Sequence, residues 1–311
     1  MKRTLALLLP LLASCSVSFP SSSSSSVPSS ESSEPTSSAS SQASPVESSS
    51  QEAIDEDFHP EEMDLTFSDE FSGNALSDKT WDFDLGSRNG GWGNNELEYY
   101  TDHNHEVKDG ELLIHAKKEY TVEPGERGNR EFDYTSSRLV TRNKVSTTYG
   151  YICARIALPL GQGMWPAFWM LPEERYEDKG WPVSGEIDIM EAKGRIPNIA
   201  SGALHYASNG TGGSHTYKSE EKDVGSIADY HVYAVLWEKE KISWYIDGEN
   251  YLTVEKRVYN NGYRTGDDAP FNKPFHIILN LAVGGNFDGG RKPADDFEEA
   301  HMSVDYLRIY Q

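Results

Sequence analysis

WPVSGEIDIMEAKG, residues 181–194, reads as one β-strand in which acidic and apolar residues alternate. Side chains of a strand point alternately to its two faces, so Glu186 and Asp188 share one face while Ile187 and Ile189 turn to the other, toward a core. Strict alternation would put Met190 beside the acids and send Glu191 inward, where an unpaired charge is costly. A one-residue bulge between Asp188 and Glu191 corrects the phase, and bulges concentrate beside active sites. The segment therefore predicts a bulged strand with three carboxylates, Glu186, Asp188 and Glu191, on one concave face.

Outward from this strand the same period recurs. ELLIHAKK, GYICARIALPL, MWPAFWML, ASGALHYA, HVYAVLWEKEKISWYIDG, PFHIILNLAV and HMSVDYLRIYQ are alternating runs separated by Gly, Asn, Asp and Pro. That pattern predicts an all-β fold, two antiparallel sheets packed as a curved jelly-roll sandwich, with a substrate cleft on one concave face. Asp247 and Gly248 are a hairpin turn signal between two of the runs. No helical period of useful length and no internal repeat is present. Segments 119–135, 172–184 and 206–226 read as long loops walling the cleft.

Crowded carboxylates repel when ionised, which raises the pKa of at least one of them. Glycoside hydrolysis needs that arrangement, one carboxyl protonated near neutral pH and another ionised. The strand rise separates the Cα atoms of Glu186 and Glu191 by about 13 Å, and inward-leaning side chains would close to the roughly 5 to 5.5 Å of a retaining pair. A solvated acidic face or a cation site is the alternative reading of these residues. GQGMWPAFWMLP, residues 161–172, puts Trp165 and Trp169 on one strand face, where their rings either stack on sugars or fill a core. GWGNNELEYYT, residues 91–101, adds Asn94, Asn95 and Glu96 in a loop, for turn chemistry or for hydrogen bonds to hydroxyls.

With SGEIDIME, these segments and SSRLVT (136–141), ALHY (203–206), WYIDG (244–248), NLAVGG (280–285) and VDYLRIYQ (304–311), the chain over 63–311 resembles glycoside hydrolase family 16, in its laminarinase-type branch. The resemblance implies a concanavalin-like sandwich and an endo-β-1,3-glucanase that cleaves β-glucan with retention and needs no cofactor for catalysis. It implies Glu186 as nucleophile, Glu191 as general acid/base and Asp188 as the residue that holds and tunes the nucleophile. It places Trp165 and Trp169 along the subsites, and Asn94, Arg138 and His205 as polar contacts to sugar. It also implies a calcium ion bound by Glu70, the Gly110 carbonyl and Asp305, away from the cleft. Phe287 stands where such enzymes often carry Trp. Lys193 and Arg195, just past the last acid, are either surface charges or contacts to acidic glycans. Mixed-linkage glucan, galactan hydrolysis, transglycosylation and a non-catalytic glycan-binding module are the alternatives, and the three acids favour the enzyme.

The chain's start, MKRTLALLLPLLASC, has a basic end, an apolar run too short to span a membrane and a lipobox-like LASC. Residues 1–15 are thus expected to be a lipoprotein-type signal ending at Cys15, whose lipidation would tether the protein to a membrane at the bacterial cell surface. Residues 16–62 are Ser-rich with Pro and Glu and contain no Lys or Arg, a composition that cannot offset chain entropy, so a disordered linker is expected before the catalytic domain at 63–311. The formal net charge of −22 argues against nucleic acid as a partner and suits a neutral polymer substrate. The only cysteines are Cys15 and Cys153. Cys153 lies in an alternating run and reads as a small core residue. The domain is expected to act as a monomer.

Overall fold

The computed structural model describes residues 62–125, 128–176, 179–208, 213–260 and 270–311. The signal segment, Cys15 and nearly all of the expected linker lie outside the described residues. The alternating runs become strands β1 (Leu65–Asp69), β2 (Asp82–Phe83), β3 (Glu98–Tyr100), β4 (His105–Lys108), β5 (Glu111–Glu123), β6 (Arg130–Ser136), β7 (Arg138–Val140), β8 (Ser146–Thr147) and β9 (Gly150–Ala157). They continue as β10 (Met164–Pro172), β11 (Glu186–Ala192), β12 (Ile199–Ala207), β13 (His215–Asp223), β14 (His231–Trp237), β15 (Lys241–Ile246), β16 (Glu249–Glu255), β17 (Phe275–Val283) and β18 (Glu299–Tyr310). A single α-helical turn, Lys256–Tyr259, follows β16.

One sheet has the order β16-β15-β14-β9-β18-β5-β6-β3, with β1 on β18 and β4 on β5; the other has the order β13-β12-β11-β10-β17-β7-β2, with β8 on β17. All pairings are antiparallel except β3 with β6. The two-sheet sandwich expected from the sequence is therefore present. Its core joins Phe168, Met170, Ile187, Ile189, Met190, Leu204 and Leu279 of the second sheet to Ile152, Ile156, Val235, Trp237 and Trp244 of the first. Each such apolar side chain removed from water contributes about 1.5–3 kcal/mol. That burial commits one face of β10, β11, β12 and β17 to the core and leaves the opposite face for the cleft.

Asp247 and Gly248, both at positive φ, close the β15–β16 hairpin as expected. Cys153 is buried and free, in a smaller cluster with Tyr151, Ala234, Leu236 and Tyr245. Burial pushes its thiol up to about 12, so it is inert packing. Two of the expected loops are largely strand. Residues 119–135 belong mostly to a ribbon of β5 and β6, and 206–226 mostly to β12 and β13. Both stretches leave much of each face in solvent, so they lack the apolar alternation that betrays a half-buried strand. In β13 the charges of HTYKSEEKD also protect an exposed sheet edge.

Candidate active site

The bulge is present in both pairings of β11. Trp169 and Ala203 lie opposite Asp188, while Ala167 and Ser201 lie opposite Glu191, so between those pairs one residue on either neighbour faces two on β11. Ile189 and Met190 both enter the core, and Glu191 returns to the cleft face beside the half-buried Glu186 and buried Asp188. The opposite sheet pins this irregularity: the Trp244 indole N–H donates to the Asp188 carbonyl at 2.8 Å. Gly202 on β12 leaves room for that indole, since any Cβ there would overlap it.

Each acid has its own surroundings. Burial first, and then the Asp188 charge, holds Glu186 well above the usual carboxylate range. Burial and the Glu191 charge do the same to Asp188, offset in part by a hydrogen bond from Glu186. Burial and mutual repulsion disfavour ionisation of both carboxyls at once. Glu191 is raised by burial and pulled back by the Trp165 indole N–H, which donates to its Oε1 at 2.9 Å, and by the charges of His205 and Lys193. His205 Nε2 lies 3.0 Å from Asp188 Oδ2, an ion-pair distance that falls short of hydrogen-bond alignment and leaves that oxygen without a full partner. Ligand-type atoms of Glu186, Asp188 and His205 lie within 4.8 Å of one another, close enough for a metal ion. The same compactness would also let a proton pass between the two carboxyls.

The expected aromatic residues line this face, each fixed by a partner distant in sequence. Trp165 stacks on Phe287 with ring centroids 5.1 Å apart, and Lys193 Nζ lies 4.6 Å from the Phe287 centroid. Phe287 thus continues the aromatic wall. The Trp169 indole donates to Asn280 Oδ1 at 2.7 Å, and the Asn280 amide donates to the Tyr100 hydroxyl at 3.0 Å. That hydroxyl donates to Glu96 Oε2 at 3.1 Å, while the exposed Asn94 amide donates to Glu96 Oε1 at 3.2 Å. Asn94 is therefore exposed at the rim, and Glu96 is a buried anchor beneath it. Glu98 lies behind, held well above the carboxylate range by its burial and then by Glu96.

Arg138 departs from expectation. It is 5% exposed, its guanidinium carbon lies 4.5 Å from the Trp92 centroid and 4.7 Å from that of Trp169, and its Nε donates to Asp84 at 3.2 Å. Sandwiched so, it braces two indoles and has little surface left for a sugar hydroxyl. Lys193 pairs with Glu221 at 3.6 Å, and Arg195 donates to the buried Asp288 at 2.6 Å, so both cations are neutralised structurally. His205, expected as a contact to sugar, lies beside the acids, and its other nitrogen meets His215 of β13, with Trp181 and Tyr217 flanking that pair. These three, with Trp92, Asn280 and Trp244, were not singled out from the sequence. Trp181 heads the catalytic stretch itself and Asn280 opens NLAVGG, which were the available signals.

On the other sheet, β1 pairs Asp69 with Leu307 and β5 pairs Leu112 with Val304, so Glu70, Gly110 and Asp305 meet where β1 and β5 abut along β18. Both acids take arginines: Arg308 donates to Glu70 at 2.8 and 2.7 Å, and Arg155 to Asp305 at 2.7 Å. The oxygen donors suit a hard cation, which would compete with two guanidinium groups for the same carboxylates.

A model of the family described as β-porphyranase A–D, GH16 domain, matches residues 62–311. Glucan endo-1,3-β-glucosidase A1 of Niallia circulans is 40% identical over 263 residues, covering 80% of this chain and only 38% of that protein. A β-glucanase of Rhodothermus marinus is 41% identical over 259 residues, covering 80% of this chain and 85% of the other. Among solved structures, an endo-β-1,3-glucanase from Pyrococcus furiosus shares 40% identity with a TM-score of 0.71, over 80% of this chain and 94% of that one.

Proposed function

The chain belongs to glycoside hydrolase family 16, and from that premise we propose that it is an endo-β-1,3-glucanase acting with retention of configuration. The observation that carries the reading is the bulged β11, which sets Glu186, Asp188 and Glu191 on one face of a cleft lined by Trp165 and Trp169. A proton passes from Glu186 to Asp188, leaving Glu186 ionised. Glu186 attacks the anomeric carbon while Glu191 gives its proton to the glycosidic oxygen, so a carbon–oxygen bond to Glu186 forms as the bond to the leaving sugar breaks. Glu191, now a carboxylate, takes a proton from water, the water oxygen bonds to the anomeric carbon, and Glu186 is released. The names of the relatives from Niallia, Rhodothermus and Pyrococcus support glucan as the substrate.

The porphyranase description of the matching family model favours a second reading, a galactan hydrolase using the same acids. Incubating the protein with laminarin, lichenan, agarose, porphyran and carrageenan, and following the first-formed anomer by NMR, separates the two. Laminari-oligosaccharides released as the β-anomer are expected. Release from galactans alone overturns the substrate, and an initial α-product overturns retention. Glu186→Ser abolishes turnover, while Glu191→Ala is slow on glucan and comparatively fast on substrates with an activated leaving group. The LASC tetrad supports secretion and a lipid tether at Cys15, for which a shift of Cys15→Ala out of the membrane fraction is the test.

A further inference from the structure

His205 and His215 stand on neighbouring strands, paired opposite Tyr217 and Ala207 respectively in the β12–β13 ladder. His205 Nδ1 and His215 Nε2 are 2.8 Å apart. The rings are within 10° of parallel with centroids 5.0 Å apart, a separation that an in-plane nitrogen-to-nitrogen contact of this length leaves, so the two imidazoles meet edge to edge. One of the two facing nitrogens must carry the proton. The other side of His205 decides which: Nε2 lies 3.0 Å from Asp188 Oδ2, off hydrogen-bond alignment but close enough that an N–H there is attracted to the carboxyl oxygen and a bare lone pair is repelled by it. Neutral His205 therefore carries its proton on Nε2 and presents Nδ1 as an acceptor.

We propose that His215 is a positioning residue, whose Nε2–H donates to His205 Nδ1 and locks His205 in the tautomer that turns Nε2–H toward Asp188. The proposal rests on the glycosidase reading of the three acids, because its consequence is exerted through Asp188. With Nε2–H against Oδ2, Asp188 is held in place to exchange its proton with Glu186. Without His215, the His205 proton is free to sit on Nδ1, and the Asp188 side loses its donor. The Trp181 ring, 4.6 Å from His215 by centroids, and the Tyr217 ring, at 5.9 Å, hold the His215 imidazole in its plane. Partial desolvation lowers the His215 pKa below the ordinary imidazole range, which favours the neutral ring with a single proton to place.

His215→Phe keeps a ring for Trp181 and Tyr217 but removes the nitrogen, while His215→Gln returns an amide donor. On the glycan that the enzyme hydrolyses, kcat in the Phe variant should fall about three- to tenfold, the rate equivalent of one neutral hydrogen bond, with KM unchanged. The Gln variant should recover most of the loss. Long-range proton–nitrogen NMR of ¹⁵N-histidine-labelled protein, without any glycan, should report His205 protonated on Nε2 in the parent and the Gln variant and no longer solely so in the Phe variant. That arm is independent of substrate, so an error in the glucan reading leaves it intact. An unchanged His205 tautomer in the Phe variant overturns the proposal. So does a raised KM with kcat intact, which would make His215 a sugar contact, or a rate loss accompanied by a lower melting midpoint and no rescue by Gln.

Discussion

Trp244 joins stability to catalysis, and Trp244→Phe measures that link. The side chain is fully buried and its indole donates at 2.8 Å to the carbonyl of Asp188 inside the bulge. Phe leaves that carbonyl without its donor, which costs about 1–3 kcal/mol. The lost ring volume adds about 1 kcal/mol of cavity. A combined loss of about 2–4 kcal/mol lowers the melting midpoint of a domain this size by about 5–15 °C. The bulge, released from the opposite sheet, lets Asp188 drift from Glu186, and misplacement of catalytic groups on the ångström scale reduces kcat by about ten- to a hundredfold. Trp237→Phe is the control. Trp237 is equally buried and donates from its indole to the Phe271 carbonyl at 3.3 Å, with no hydrogen bond to the bulge. Calorimetry should find both variants destabilised, and initial rates on soluble β-1,3-glucan below the onset of melting should find only Trp244→Phe impaired. Equal rate losses in the two variants, or full activity in Trp244→Phe despite a lower midpoint, would refute the reasoning.

Trp165→Phe keeps the stack on Phe287 but removes the hydrogen bond that holds the Glu191 pKa down, so the alkaline limb of kcat/KM, where the acid loses its proton, should move to higher pH; a limb that stays put would falsify that role. Asp188→Asn bears on stability: the folded-state pKa of Asp188 is raised, so its stabilising contribution is complete below the unfolded carboxyl value of about 3.9 and lost as pH rises through the folded value. The Asn variant should therefore melt higher than the parent at neutral pH, show no such gain near pH 4, and turn over slowly; a lower midpoint at neutral pH would contradict the burial argument. A calcium ion bound at Glu70, Gly110 and Asp305 would have to displace Arg308 and Arg155 from the two acids and would raise the melting midpoint, whereas identical melts in excess chelator and in added calcium count against it.

The alternation of EIDIME, with one residue too many between Asp188 and Glu191, determined from the sequence alone that β11 is a bulged strand, that Ile187 and Ile189 are core and that three acids share a cleft. Period and charge are properties of neighbours along the chain, so they are legible without a fold. The flanking runs disclosed the sandwich for the same reason. Partners contributed by other strands were not legible. Arg138 looked like a cleft cation until Trp92 and Trp169 closed on it and Asp84 neutralised it. His215, in an exposed and highly charged edge strand, had nothing local to mark it; only the β12–β13 register brings it to His205. The clamp on the bulge likewise comes from Trp244 of the opposite sheet, 56 residues from Asp188. Side-chain period decides which face a residue occupies, but burial, ion pairing and proton placement depend on what meets that face across the sheets, and that is decided only by tertiary packing.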